Sequence, residues 1–235
     1  MAVAVVTGAS RGLGFALARA LGEMEWGLVI DARGAEALQD AAARLEELGA
    51  GPVVAVPGDI AEEAHRWELI EAARRIGGLD LLVNNASVLG PSPQPRLADY
   101  PLTTLSHVLD VNVVAPLALI QLALPLLKSS GGAILNITSD AAVEPYQGWG
   151  GYGASKAALE QLSAVLAAEH PELRVWWADP GDMRTQMHQD AYPGEDISDR
   201  PWPEERVPGL LRLIAERPAS GRYRAAELVG EVVGA

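Results

Sequence analysis

The sequence predicts one α/β domain built on a doubly wound parallel sheet, with helices on both faces in a three-layer α/β/α arrangement. Three observations carry that expectation. Short apolar runs alternate with longer helical patterns along all 235 residues. The runs are apolar throughout rather than at every second residue, as strands covered on both faces must be. The first run also opens directly into a glycine-rich turn, "TGASRGLG" at 7–14, and a helical pattern begins at once.

The predicted strands are 3–7 (VAVVT), 28–31 (LVID), 53–56 (VVAV), 79–84 (LDLLVN), 133–138 (AILNIT) and 174–179 (RVWWAD). Helical patterns fill 12–24, 35–48, 62–76, 102–129 and 152–169. Gly49 supplies a C-terminal stop for the second helix and Pro171 one for the last. A short helix at 204–216 and a strand near 222–225 are expected to close the domain. Right-handed crossovers place ligands at the carboxyl ends of the strands, near the point where strand order reverses. The segment 182–208 breaks the alternation with proline, glycine and charge. It is long for a connection, which points to a substrate-side loop region.

Composition narrows the function. The chain has no cysteine, so disulfide and thiolate chemistry are absent, and a reducing, cytoplasmic setting is expected. A formal net charge of −13 disfavours nucleic acid and anionic membrane surfaces as partners. The N-terminus reads as a first strand rather than a signal peptide. The most apolar stretch, 111–127, is interrupted by Asn112, Pro116, Gln121 and Pro125, so a buried or subunit-facing helix is expected rather than a membrane span. The four histidines show no metal-ligand spacing, and no metal site is expected.

In the glycine turn, Gly8 suits the tight turn, Gly12 a close approach of backbone to a pyrophosphate, and Gly14 the packing of helix on strand. The spacing TGxxxGxG resembles the short-chain dehydrogenase/reductase family, whose fold is Rossmann-type. Further motifs agree in order along the chain: Asp59 in "GDI", "NNAS" at 84–87, Asn112 in "VN", Ser139 in "NITS", Tyr152 and Lys156 as YxxxK, and "PGDMRT" at 180–185. Ser87 departs from the family's usual glycine.

Tyr152 and Lys156 lie four residues apart, on one helix face. Only two lysines occur in the chain, Lys128 and Lys156, while arginine supplies the other cations. A compact ammonium beside Tyr152 is expected to lower a phenol pKa that starts near 10 and to reach ribose hydroxyls. The resemblance implies hydride transfer between NAD(P)H and a carbonyl. In it, Ser139 donates to the carbonyl oxygen, Tyr152 is general acid or base, Lys156 tunes it, and Asn112 positions a relay water. It implies cofactor contacts from Gly8, Ser10, Arg11, Gly12, Leu13 and Gly14, and from Arg33, Asp59, Ile60, Asn85 and Ala86. Tyr152, Lys156, Pro180, Gly181, Met183 and Thr185 complete that set.

Asp31, at the end of the second strand, is one residue early for the acidic position that binds a ribose 2′-hydroxyl, and alternation turns it to the other side. Arg33 and Arg11 can then meet a 2′-phosphate, so NADP(H) is favoured over NAD(H). Trp149 and Met187, with Ser139, are the candidate substrate contacts, and His188, Tyr192 and Trp202 lie in the same region. The stretch 145–162 with "PGDMRTQM" also resembles sepiapterin reductases. A redox sensor or scaffold that binds the dinucleotide without turnover is the alternative function. A homotetramer or homodimer, paired through helices 102–129 and 152–169, is implied by the family.

Overall fold

The computed structural model describes residues 1–228. Within them, seven strands form one parallel sheet in the order β3-β2-β1-β4-β5-β6-β7. The strands are β1 (Val3–Val6), β2 (Gly27–Ala32), β3 (Val53–Pro57), β4 (Leu81–Asn84), β5 (Ala133–Ile137), β6 (Arg174–Asp179) and β7 (Gly221–Arg224). The order reverses between β1 and β4, which pair through Ala4–Leu81 to Val6–Val83. A ligand crevice is expected outside the carboxyl ends of those two strands.

The period of two along each strand sorts its side chains between two cores. Ala4, Val6, Leu28, Ile30, Leu81, Val83, Leu135 and Trp176 belong to one. Val3, Val5, Val29, Leu82, Ile134 and Val175 belong to the other. Helices α1 (Gly12–Glu23), α2 (Ala35–Glu47) and α8 (Val207–Glu216) cover the first face. The second is covered by α3 (Glu63–Ile76), α5 (Ala115–Ser130) and α6 (Gly150–Glu169), with α4 (Leu102–Leu109) beside α6.

The predicted helix 102–129 is continuous but not uniform. A π turn, Asp110–Val114, joins α4 to α5 and carries Asn112. The combined helix, Leu102–Ser130, is long and apolar enough to cross a membrane by length and composition. Here Val111, Ala115, Leu119, Ile120, Ala123 and Leu127 instead pack into the second core. The predicted 204–216 helix divides into a 3-10 turn, Pro203–Glu205, and α8. The 182–208 segment contains one short helix, α7 (Gln186–Ala191). A last turn of helix, α9 (Ala225–Leu228), follows β7.

Candidate active site at the carboxyl ends of the strands

The glycine turn leaves β1 with Gly8 at φ +67°, a conformation that favours glycine. A Cβ there would come within 2.9 Å of the Ala86 Cα. At Gly14 a Cβ would strike the Gly8 carbonyl oxygen. Those two positions let α1 start directly against the ends of β1 and β4. Thr7 fastens the same corner, because its hydroxyl accepts from the backbone N–H groups of Asn85 (2.9 Å) and Ala86 (3.0 Å).

Asn85 donates from Nδ2 to the carbonyls of Thr7 (2.8 Å) and Gly8 (3.2 Å). Its Nδ2 therefore braces the turn. Leu13 is buried in the first core, so only its backbone N–H can face a ligand. The α1 N-terminus is open, since Arg11 at the N-cap makes no side-chain cap bond. Gly12 faces Thr185, whose Cγ2 would lie 3.8 Å from a Cβ added at Gly12.

Asp31 is 2% exposed and fully engaged. One carboxylate oxygen accepts from the Gly8 N–H at 2.6 Å, and the other pairs with His65 Nε2 at 3.0 Å. It holds the turn from behind, buried away from the open side of the site. Arg11 and Arg33 are exposed, and neither forms an ion pair among the described residues. Asp59 Oδ1 accepts from the Ala61 N–H at 2.9 Å. Ile60 is buried in the second core and its carbonyl accepts from Arg66.

Asn112 uses its whole amide. Nδ2 donates to the Val88 carbonyl (2.9 Å) and to Ser155 Oγ (3.0 Å). Oδ1 accepts from the Val88 N–H (2.9 Å) and from Ser87 Oγ (3.1 Å). This side chain ties the π turn to the loop after β4 and to α6, leaving only the main chain for a water.

Tyr152 and Lys156 project from the first turns of α6 and both are buried. The Lys156 ammonium lies 5.5 Å from the Tyr152 ring centre and donates to the Ile137 carbonyl at 2.9 Å. Burial pushes the Lys156 pKa down to about 8. Burial likewise pushes the Tyr152 phenol up, opposed by the Ser87 hydroxyl beside it and reinforced by Asp179 and Asp140. The expected lowering by Lys156 does not govern this phenol, because desolvation dominates. Ser87, the residue that departs from the family pattern, lies beside the phenol, and a hydrogen bond given to Tyr152 instead of Asn112 Oδ1 favours the phenolate.

Ser139 caps a 3-10 turn, Asp140–Ala142, by accepting from the Ala141 N–H at 3.1 Å. Its own hydroxyl proton goes to Asp140 Oδ1 at 2.9 Å. That turn sits close under α6, since a Cβ at Gly153 would come within 2.6 Å of the Ala141 carbonyl oxygen. Leu89, Ala141 and Tyr152 form a small apolar cluster, with Trp149, Met187 and Ala191 packed on it. Trp149 meets Tyr152 edge-on at 5.8 Å and Tyr192 at 6.0 Å, and His188 lies 4.9 Å from the Tyr192 ring.

The remaining predicted residues separate. Gly181 continues the turn after β6, its N–H donating to Asp179 at 2.8 Å. Thr185 caps α7 by accepting from the His188 N–H. Met183 packs on the first core. Trp202 is exposed and stacks under Arg184 at 4.6 Å, which removes it from the site. A hollow of about 510 Å³ at the strands' amino ends, lined by Met1, Met24 and Trp26, holds none of the candidate residues. Among the described residues no group of three metal-ligating side chains converges.

Sequence reasoning missed Thr7, Leu89, Asp140 and the closeness demanded at Gly153. Thr7, which opens the glycine motif, and Asp140, next to Ser139, carried a visible signal.

The family model for short chain dehydrogenases matches residues 2–196. The chain is 35% identical over 200 residues to a benzil reductase ((S)-benzoin forming) of Saccharomyces cerevisiae, covering 80% of this chain and 74% of the relative. It is 36% identical over 203 residues to the sepiapterin reductase of Mus musculus, covering 80% and 77%. An alcohol dehydrogenase from the archaeon Thermococcus sibiricus, solved complexed with 5-hydroxy-NADP, superposes with a TM-score of 0.84 at 29% identity over 95% of each chain.

Proposed function

The chain belongs to the short-chain dehydrogenase/reductase family of oxidoreductases, and on that premise we propose that it is an NADP(H)-dependent enzyme reducing a ketone or aldehyde to an alcohol, or the reverse. The observation that carries this is the placement of Tyr152, Lys156 and the Ser139 turn together at the strand ends that bear the glycine turn.

The residues fit a dinucleotide. The open N-terminus of α1 and the glycine turn suit the pyrophosphate, because free N–H groups and the helix dipole favour an anion. Arg11 and Arg33 suit a 2′-phosphate, and Asp31 is spent on Gly8 and His65. Lys156 would hold ribose hydroxyls and Thr185 the carboxamide. The reduced nicotinamide supplies the hydride.

Tyr152 carries a proton at its phenol oxygen and gives it to the carbonyl oxygen as charge develops there. Burial raises its pKa, so at neutral pH it is a loaded acid. Ser139 turns its hydroxyl from Asp140 toward the same oxygen. Asp140 keeps the Ala141 N–H and the Tyr146 hydroxyl, at 2.8 and 2.9 Å. Leu89, Trp149, Met187 and Tyr192 make an apolar, aromatic wall suited to a ring-bearing carbonyl compound.

A cytoplasmic homotetramer or homodimer completes this reading. Exposed Leu102 and Val114 on the α4–α5 helix and Val165 on α6 support such pairing. Elution as a monomer would count against it. The activity is tested by following loss of NADPH or NADH with a panel of ketones, aldehydes, diketones and a pterin. Turnover with NADPH that disappears in Tyr152→Phe is expected. Tight NADPH binding without turnover on any carbonyl would favour a sensor.

A further inference from the structure

Asp140 follows Ser139 and takes no part in the chemistry described above. Its carboxylate is held firmly on the site's wall. Oδ1 accepts from Ser139 Oγ at 2.9 Å and from the Ala141 N–H at 2.8 Å, while Oδ2 accepts from the Tyr146 hydroxyl at 2.9 Å. Its field reaches both Tyr152 and Tyr192, on two sides of the aromatic pocket.

The surrounding charges do not cancel it. Asp179, at the end of β6, also acts on Tyr152, and Asp182 acts on Tyr192. Two nearby arginines, Arg222 and Arg200, are each paired with carboxylates, and Arg222 also donates to the Ser139 carbonyl at 3.2 Å. Arg222 pairs with Glu160 at 2.9 Å and with Asp179 at 3.5 Å. Arg200 pairs with Asp199 at 2.7 Å and with Asp182 at 3.5 Å. Lys156 is buried and donates to Ile137. The net charge of the chain has the same sign.

We propose that Asp140 is a specificity-determining residue that restricts this site to neutral carbonyl compounds and turns away those bearing a carboxylate directly on the reacting carbonyl carbon. The inference rests on the reading of the site as a carbonyl reductase. Such a carboxylate would arrive beside Ser139, whose hydroxyl is bonded to Asp140. It would find a like charge there, while the Ser139 and Tyr152 protons are needed by the carbonyl oxygen. Like charges a few ångströms apart in a partly desolvated pocket cost at least about a tenfold factor in affinity. A neutral ester or amide of the same shape meets no such repulsion.

The test compares methyl benzoylformate with benzoylformate, which share a skeleton and differ in charge. Wild-type enzyme is expected to favour the ester in kcat/KM. Asp140→Asn is expected to shrink that preference at least tenfold, mostly through KM for the acid. The ester rate reports that the variant is folded. Tyr146→Phe, which retains the carboxylate, is expected to keep the preference near the wild-type value. An unchanged preference in Asp140→Asn overturns the proposal.

Binding of benzamide against benzoate, followed by NMR titration without turnover, gives the same comparison independently. If no carbonyl is reduced but the binding preference is present and falls in Asp140→Asn, the reductase reading fails and the role of Asp140 stands. If the binding preference is absent, or unchanged by the substitution, the role of Asp140 fails.

Discussion

Lys156 is protonated at neutral pH only against the pull of its surroundings, and replacing it should expose that cost. Burial lowers its pKa from an ordinary 10.5 to about 8 in the folded chain. The difference corresponds to roughly 3 kcal/mol of unfavourable burial at neutral pH. Lys156→Met relieves it but leaves the Ile137 carbonyl without its donor, at a cost of about 1–3 kcal/mol. At pH 7 the two effects nearly cancel.

The pH dependence does not cancel. Between pH 8 and 10.5 the folded lysine has given up its proton while the unfolded one keeps it. The unfolded chain then binds more protons, so wild-type stability rises with pH across that window. The variant has no such group. Urea unfolding of both proteins should show wild type gaining about 2 kcal/mol on Lys156→Met between pH 7.5 and 9.5. A stability difference that stays flat over that range would mean that Lys156 is not desolvated, and the reasoning about its environment would fall.

Other substitutions test other parts of the site. Arg33→Ala should raise KM for NADPH about tenfold or more, the loss of a charge-assisted contact, and leave KM for NADH unchanged; equal effects on both would remove the 2′-phosphate assignment. Gly14→Ala should abolish NADPH binding and lower Tm, since its methyl group meets the Gly8 carbonyl; calorimetry with and without NADPH reads both. Ser87→Ala removes the hydroxyl that favours the Tyr152 phenolate. In the alcohol-oxidising direction, where Tyr152 works as a base, the pH at which kcat/KM rises should move upward, and an unmoved profile would show that Ser87 is silent.

Much of this site was legible because its signals are local. The glycine turn reads from spacing within eight residues, and the Tyr152–Lys156 pair from one helical turn. Asp31 was legible through strand alternation, and its bonds to Gly8 and His65 agree with that register. What was not legible depends on contacts distant in sequence. Thr7 binds residues 78 and 79 positions away. Asn112 matches its motif, but only the folded chain shows its amide consumed by Ser87, Val88 and Ser155. The π turn is invisible in an apolar run that reads as one helix. The Tyr152 phenol followed burial rather than its lysine neighbour, and burial depends on what packs over α6.

The central claim is that Tyr152 passes a proton to a carbonyl while reduced cofactor is consumed. The most direct measurement mixes enzyme with NADPH and a neutral aromatic diketone, and quantifies NADPH lost and hydroxyketone formed in wild type and Tyr152→Phe. The account predicts one product per NADPH in wild type and a rate at least about 100-fold lower in the variant. Equal rates in the two proteins would contradict it.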